Sequence, residues 1–357
     1  MTERWWRAGP SRAAGSARQL YTALSLGFAW LRPGSFCKVG RVLAAPRGTF
    51  GGMSDDGFAV SPATIRLGDL EVRRLGFGAM RLPGKEVWGE PEDPARARAV
   101  VKRVLDLGMN FIDSSWYYGP HVANKVIADA LYPYPKDLVI ASKLGGKRTP
   151  DKGWAAFSKP AELREGCEHD LRELRREVLD VVHFRYVGAP GTIPFLESLD
   201  AMIELKKQGK IRHLALSNVN AKQLAQALEQ TPIVAVQNMF NVGGGTGPLA
   251  KRSHAEVEAP ETVLAACEAR GIAYLPFFPL AVGALGKPQP ALAAAADKYR
   301  ATPAQIAIAW LLARSPVMLP IPGTSSPEHL QENWEARKIA LTKEEVASIA
   351  QGARDAL

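Results

Sequence analysis

Three side chains in this sequence stand at spacings that suit proton transfer to a carbonyl oxygen. Asp113 ends a short apolar run, Asn110-Phe111-Ile112, and Tyr118 follows in the next loop beside Gly119. Lys143 ends a later apolar run, Leu138–Lys143. A phenol with its ordinary pKa of about 10 needs a nearby cation to become a ready proton carrier. A lysine supplies that cation, and a carboxylate keeps the ammonium charged and oriented. For the Asn110–Gly119 stretch taken alone, a strand followed by a plain Tyr-Gly turn is an equal alternative.

Such a trio needs a scaffold that brings the ends of distant runs together. From Leu75 onward, short apolar runs alternate with helical stretches: Leu75–Met80, Asn110–Ser115, Leu138–Lys143, Leu179–Arg185, Ile211–Val219, Ile233–Asn241, Ile272–Leu280 and Val317–Gly323. Nearly every run is followed by a helix. Runs that are apolar throughout are what a sheet covered on both faces requires. Eight such units over about 270 residues predict a closed α/β barrel, the (β/α)8 TIM barrel, whose catalytic groups gather at the C-terminal strand ends. An open doubly wound sheet gives no reason for eight strands. It should also carry a Gly-x-Gly-x-x-Gly first turn, which is missing here. Before the first strand, Thr64–Leu67 and Leu70–Val72 flank Gly68-Asp69 and read as a β-hairpin that would plug the barrel floor. Two further helices, about Pro327–Arg337 and Thr342–Arg354, close the chain. Residues 59–357 are thus expected to form the barrel and 1–58 an extension.

Reading only the strand ends lays out one rim: Ala79-Met80-Arg81, Asp113 with Tyr118, Lys143, Arg185, Ser217-Asn218, Gln237 with Phe240, Pro279-Leu280, and Gly323-Thr324. Ser217, Asn218 and Gln237 could grip a flat carboxamide, and Phe240 offers a ring face for a stacked heterocycle. Gly323-Thr324-Ser325-Ser326 precedes a helix containing His329, Glu332 and Asn333, and small residues at a helix N-terminus can hold a phosphate. Taken singly, most of these positions read better as ordinary polar strand caps. Together they point to a nicotinamide nucleotide. The loops expected to choose the substrate are Arg81–Pro94, Tyr186–Ile193 and Gly243–Glu258.

Composition narrows the classes. The chain has 357 residues, 46% of them hydrophobic, and a formal net charge of +9. Most of that charge sits in residues 1–52, where eight Lys/Arg face the single acid Glu3. The barrel itself is nearly balanced, so no nucleic-acid partner is expected. Cys37, Cys167 and Cys267 are widely separated and suggest neither disulfides nor a metal site, and a reducing, cytoplasmic location is the expectation. No apolar run reaches the roughly 18 residues of a membrane span. Three readings of the first fifty residues stand: a secretory signal, an organelle-targeting peptide, or a chain whose functional start is Met53. The third is favoured, and none gives the segment any chemistry.

From Leu75 to about Ala350 the sequence resembles the aldo-keto reductase superfamily. Phe111-Ile112-Asp113-Ser114-Ser115-Trp116-Tyr117-Tyr118-Gly119 resembles that family's signature around its catalytic Asp and Tyr. Ile140-Ala141-Ser142-Lys143 is similar to the strand ending in its catalytic Lys. Gly209-Lys210-Ile211-Arg212 through Ser217-Asn218 is similar to its nicotinamide segment. Leu319-Pro320-Ile321-Pro322-Gly323-Thr324 through Glu332-Asn333 resembles its adenosine-phosphate segment. Trp88-Gly89-Glu90-Pro91, Tyr132-Pro133-Tyr134-Pro135 and Ser315–Leu319 look more narrowly like a bacterial subgroup that includes pyridoxal reductases. The resemblance implies reduction of an aldehyde or ketone by NADPH with Tyr118 as proton donor, in a monomer or weak homo-oligomer. A catalytically weak NADPH-binding sensor is the alternative. Two departures from the family pattern matter. Its usual fourth-strand His is replaced, counting from Asp180, by Arg185, with His183 two residues earlier. Gly323 and His329 stand where many members carry Lys and Arg, so NADH is not excluded.

Overall fold

A computed structural model describes residues 63–186, 193–243, 260–280 and 290–355. The expectations for residues 1–58 and for most of two substrate loops, Tyr186–Ile193 and Gly243–Glu258, lie outside the described residues. The hairpin forms as expected: β1 (Thr64–Leu67) pairs antiparallel with β2 (Leu70–Arg73), Leu67 opposite Leu70. Gly68 turns the corner at φ +68°, and a Cβ there would stand 2.4 Å from the His213 ring. Glycine alone meets both demands. Asp69 accepts hydrogen bonds from Arg212 and His213, which hold its carboxyl down to about 2. The hairpin is thereby tied to the strand it covers.

The barrel strands follow as β3 (Phe77–Gly78), β4 (Phe111–Asp113) and β5 (Val139–Arg148), then, after an antiparallel β6 (Trp154–Phe157), β7 (Leu179–Arg185), β8 (Ile211–Ser217), β9 (Ile233–Gln237) and β10 (Ala273–Tyr274). All but β6 run parallel in the order β10-β9-β8-β7-β5-β4-β3. Residues 317–322 occupy the eighth position. Tyr274 N donates to Val317 O at 2.8 Å and Leu319 N to Tyr274 O at 2.9 Å, while Gly76 and Gly78 donate to Pro320 O (2.9 Å) and Pro322 O (3.3 Å). The two prolines have no N–H to return, so this run closes the barrel through carbonyls without forming a full strand.

The helices are α1 (Pro94–Asp106), α2 (Val122–Leu131), α3 (Pro160–Glu173), α4 (Phe195–Lys207), α5 (Ala221–Gln230), α6 (Pro260–Glu268), α7 (Pro290–Tyr299), α8 (Pro303–Arg314), α9 (Pro327–Glu335) and α10 (Lys343–Asp355). Their starts are written in the sequence: Asp93 accepts from Arg96 N ahead of Pro94, and Thr302 with Gln305 forms a capping box ahead of Pro303. Three features depart from the sequence expectation. β5 runs on to Arg148 and folds back on itself as β6. The strand expected at 75–80 breaks into a 3-10 turn at Ala79–Arg81. α7 is additional, because its run of alanines carries little contrast between faces.

Alternation sorts the strand residues into two layers. Phe111, Val139, Ala141, Val181, Ala215, Ala235 and Ala273 pack inside the barrel with Leu67 and Val72 of the hairpin. Their neighbours Ile112, Ile140, Val182, Leu214, Leu216 and Val236 pack outward under the helices. The next residues up on the inward face are Asp113, Lys143, His183, Ser217 and Gln237, all buried. The barrel interior therefore changes from apolar at the floor to polar at the mouth.

Candidate active site

Lys143 Nζ donates to Asp113 Oδ2 at 2.6 Å and to the Ser114 carbonyl at 2.9 Å. Gln237 Nε2 donates to the other oxygen, Asp113 Oδ1, at 2.8 Å. The lysine is 1% exposed and the aspartate 3%, so a buried ion pair is closed on both carboxylate oxygens. It holds the ammonium 5.0 Å from the centre of the Tyr118 ring. Tyr118 is fixed from behind, its carbonyl accepting the Val122 and Ala123 amides that open α2. Burial, and next the Asp113 charge, raise the Tyr118 hydroxyl far above its ordinary range, while Arg185 pulls it down. The sequence expectation that Lys143 would lower this phenol overlooked Asp113, whose charge acts in the opposite sense. Without a bound ligand, Tyr118 is a neutral phenol that keeps its proton.

His183 and Arg185 share the inward face of β7, at different heights. His183 lies level with Lys143 and Arg185 with Ser217. The His183 ring is fully buried, Nδ1 lies 3.4 Å from the Ser142 carbonyl, and Nε2 has no partner. Burial drives this imidazole down to about 4, so it is neutral. Arg185 is half-buried, its guanidinium 5.6 Å from the Phe277 ring. Among the described residues it has no ion-pair partner.

The expected cofactor residues fall into several groups. Ser217 Oγ is buried without a partner, beside Asn218 in the left-handed region at φ 58°. An unpaired buried hydroxyl costs about 1–3 kcal/mol, and a planar carboxamide is a group that could satisfy it. Gln237 stands at the same rim but spends its amide N–H on Asp113. Ala79, Met80 and Arg81 form the turn after β3, with Arg81 exposed. That turn meets the loop before α9, for a Cβ on Gly323 would lie 2.6 Å from Gly78 O and 3.5 Å from Arg81 Cγ. In the loop, Thr324 Oγ1 accepts from Ser326 N, and Ser326 caps α9 by accepting from His329 N. The Ser325 carbonyl accepts from Arg96, which also pairs with Glu328 at 2.9 Å. His329 and Glu332 are exposed, and Asn333 is buried. Pro279 is buried and Leu280 half-buried.

One expectation is corrected. Phe240 offers no ring face at the mouth: it is 1% exposed, stacks on Trp310 of α8 at 6.0 Å and meets Tyr274 edge-on. It is one residue out of phase with the inward-facing Ala235 and Gln237, and so it turns to the helix layer. The half-buried ring at the rim is Phe277, placed there by a bridge to Met239 and carrying Arg185. Its only sequence signal is its place at the end of the seventh run, where two phenylalanines stand together.

Comparison with known proteins places this geometry in a family. The Aldo/keto reductase family profile matches residues 74–353. The chain is 42% identical over 294 residues to the pyridoxine 4-dehydrogenase of Escherichia coli (strain K12), covering 81% of this chain and 98% of that protein. A thermostable aldo-keto reductase solved with the inhibitor epalrestat superposes with a TM-score of 0.67 at 27% identity, covering 82% of this chain and 99% of the other. An aldo-keto reductase from Klebsiella pneumoniae, solved with NADPH, shares the fold with a TM-score of 0.64 at 24% identity over 83% of this chain and 96% of its own. With the buried Asp113–Lys143 pair set beneath Tyr118 at the mouth of a closed barrel, the chain belongs to the aldo/keto reductase family of oxidoreductases.

Proposed function

We propose that the protein reduces an aldehyde with NADPH, Tyr118 delivering the proton, and that its substrate is a pyridoxal-type aldehyde. The observation that carries the mechanism is the buried Asp113–Lys143 pair beside a phenol kept neutral by burial. When bound, NADPH would supply the hydride that the carbonyl carbon needs. Tyr118 donates its proton to the carbonyl oxygen as negative charge builds there, and the resulting phenolate faces Lys143 and Arg185 until solvent reprotonates it. Ser217 and Asn218 would hold the carboxamide, Phe277 would support the ring, and Arg81 with Gly323, Thr324 and Ser325 would receive the phosphates. His183, a layer deeper and neutral, acts through packing, and Arg185 takes the place beside the substrate oxygen.

The pyridoxal assignment rests on the 42% identical pyridoxine dehydrogenase, together with Arg185 as a permanent cation at the mouth. The test is NADPH consumption with pyridoxal and with nitrobenzaldehyde as a generic reactive aldehyde, repeated with NADH. Turnover of both aldehydes, with a kcat/KM at least tenfold higher for pyridoxal, is expected. Turnover of nitrobenzaldehyde alone would remove the substrate and keep the chemistry. Tight NADPH binding with no turnover of either would favour the cofactor-binding sensor.

A further inference from the structure

A second cluster of chemically capable side chains lies between α2 and α3, behind the loop that carries Tyr118. His121, His169 and Glu173 each place one ligand-type atom within 4.8 Å of the other two. His169 and Glu173 sit one turn apart on α3, and His121 caps α2 from a left-handed backbone conformation at φ 65°. His121 Nδ1 lies 2.5 Å from Glu173 Oε1, and His169 Nδ1 lies 3.8 Å from the same oxygen. Around them opens a pocket of about 530 Å³, also lined by Lys125, Arg172 and Arg175.

We propose that His121, His169 and Glu173 form a binding site for a divalent transition-metal ion of the zinc class, with water from the pocket completing the shell. Two imidazoles and one carboxylate are a donor set such ions accept, with bonds of about 2.0–2.2 Å that put tetrahedral ligand atoms about 3.3–3.6 Å apart. The separations from the Glu173 oxygen, 2.5 and 3.8 Å, straddle that range and all three atoms lie within 4.8 Å of one another, so ring movements of about an ångström or somewhat more bring the atoms into place. His169 Nδ1 already behaves as a Lewis base. It lies 2.6 Å from Arg172, and a guanidinium only donates, so this nitrogen is the unprotonated one and its lone pair is turned to Arg172. Arg172 is exposed and can swing away.

The carboxylate is held from outside the cluster as ligands usually are. Asn124 Nδ2 reaches both Glu173 Oε2 at 3.4 Å and Asp170 Oδ1 at 2.7 Å, while Asn124 Oδ1 accepts from Ser114 Oγ. Trp116 backs both imidazoles, stacked on His169 at 5.1 Å and 5.4 Å from His121. Of the cationic lining, Arg175 is paired with Asp129 at 2.6 Å. The sequence concealed this site because 52 residues separate His121 from Glu173. Only the His169-x-x-x-Glu173 spacing on one helix face was legible.

The test is a titration of the metal-free full-length protein with Co²⁺, read by its visible absorption and competed with Zn²⁺. One equivalent is expected to bind with a low-symmetry nitrogen–oxygen spectrum lacking a thiolate band. His169→Ala and His121→Asn, both checked for unchanged melting without metal, should each weaken binding by at least about 100-fold, more than an outer-shell loss. Arg172→Ala, which frees the His169 lone pair, should tighten it several-fold. No binding, a thiolate band, or binding unchanged in both histidine variants would overturn the site. Weaker metal binding in Arg172→Ala together with inorganic phosphate binding to the wild type would overturn it in favour of an anion pocket.

Discussion

The two ends of the barrel interior bury charge in opposite ways. At the floor, Arg74 is 3% exposed, and its guanidinium donates to the carbonyls of Met318, Leu312 and Ser315. Burial lowers its pKa to about 10, still far above neutrality, so it stays charged and finds backbone partners. Above it the layers are Val, Ala, Leu and Phe, closed by Leu67 and Val72. At the mouth the charges pair with each other, and the set is left incomplete: His183 Nε2 and Ser217 Oγ are buried without partners. A floor that is satisfied contributes stability. The mouth keeps buried polar atoms that no protein group satisfies.

That contrast can be broken from its strongest side first. Tyr118→Phe is expected to lower kcat by about 10²–10⁴-fold while leaving the NADPH dissociation constant unchanged, because the ring remains and only the proton is lost. Stopped-flow turnover with fluorescence-detected cofactor binding checks it. More than a tenth of wild-type turnover would place the donor elsewhere.

Next come paired substitutions at the two ends. Lys143→Met leaves Asp113 buried without its cation and should cost about 3–5 kcal/mol of stability as well as activity. Arg74→Met strips three buried carbonyls of their donor and should cost a comparable amount, about 3 kcal/mol or more. The kcat of its folded fraction should be unchanged. Urea unfolding beside active-site-normalised turnover separates the two. A large kcat loss in Arg74→Met would erase the division between floor and mouth.

His183 adds a pH signature. Its imidazole titrates at about 4 in the folded protein and near 6.5 unfolded, so between those values the unfolded chain binds more protons. Stability should therefore fall as pH drops from 6.5 to 4, by up to about 3 kcal/mol from this one group. Unfolding free energies of wild type and His183→Gln at pH 7 and 5 test this. Equal slopes would show that His183 is not buried neutral.

A smaller shift is expected from Arg185→His. The guanidinium lowers the Tyr118 pKa, so its replacement should move any basic limb of kcat/KM to higher pH. An unmoved limb would hand the position to His183. Smallest of all, removing residues 1–52, which precede the floor hairpin, is expected to leave both melting temperature and turnover unchanged. A drop of several degrees would tie that segment to the fold.

How much of this was legible varies with the kind of signal. Hairpin, barrel strands and most helices follow from local patterns: Gly68-Asp69 between alternating runs, continuous apolar stretches, and Asp93-Pro94 or Thr302-Pro303 at helix starts. That Asp113, Tyr118 and Lys143 would come together was legible because strand ends of one barrel must share a rim. Phe240 was misplaced because phase, and not proximity to Gln237, decides which layer a side chain enters.

By itself the sequence determined the period-two sorting of each strand, and with it which residues would line the interior and at what height. Only the tertiary structure decided who holds whom there. Gln237 closes Asp113, the Asp113 charge raises the Tyr118 phenol while Arg185 lowers it, Phe277 and not Phe240 stands at the rim, and two helices bring His121 to His169 and Glu173. The physical reason is range. Pleat, cap and turn are set within a few residues, whereas ion pairs, ring contacts and ligand clusters depend on distances between atoms far apart in the chain.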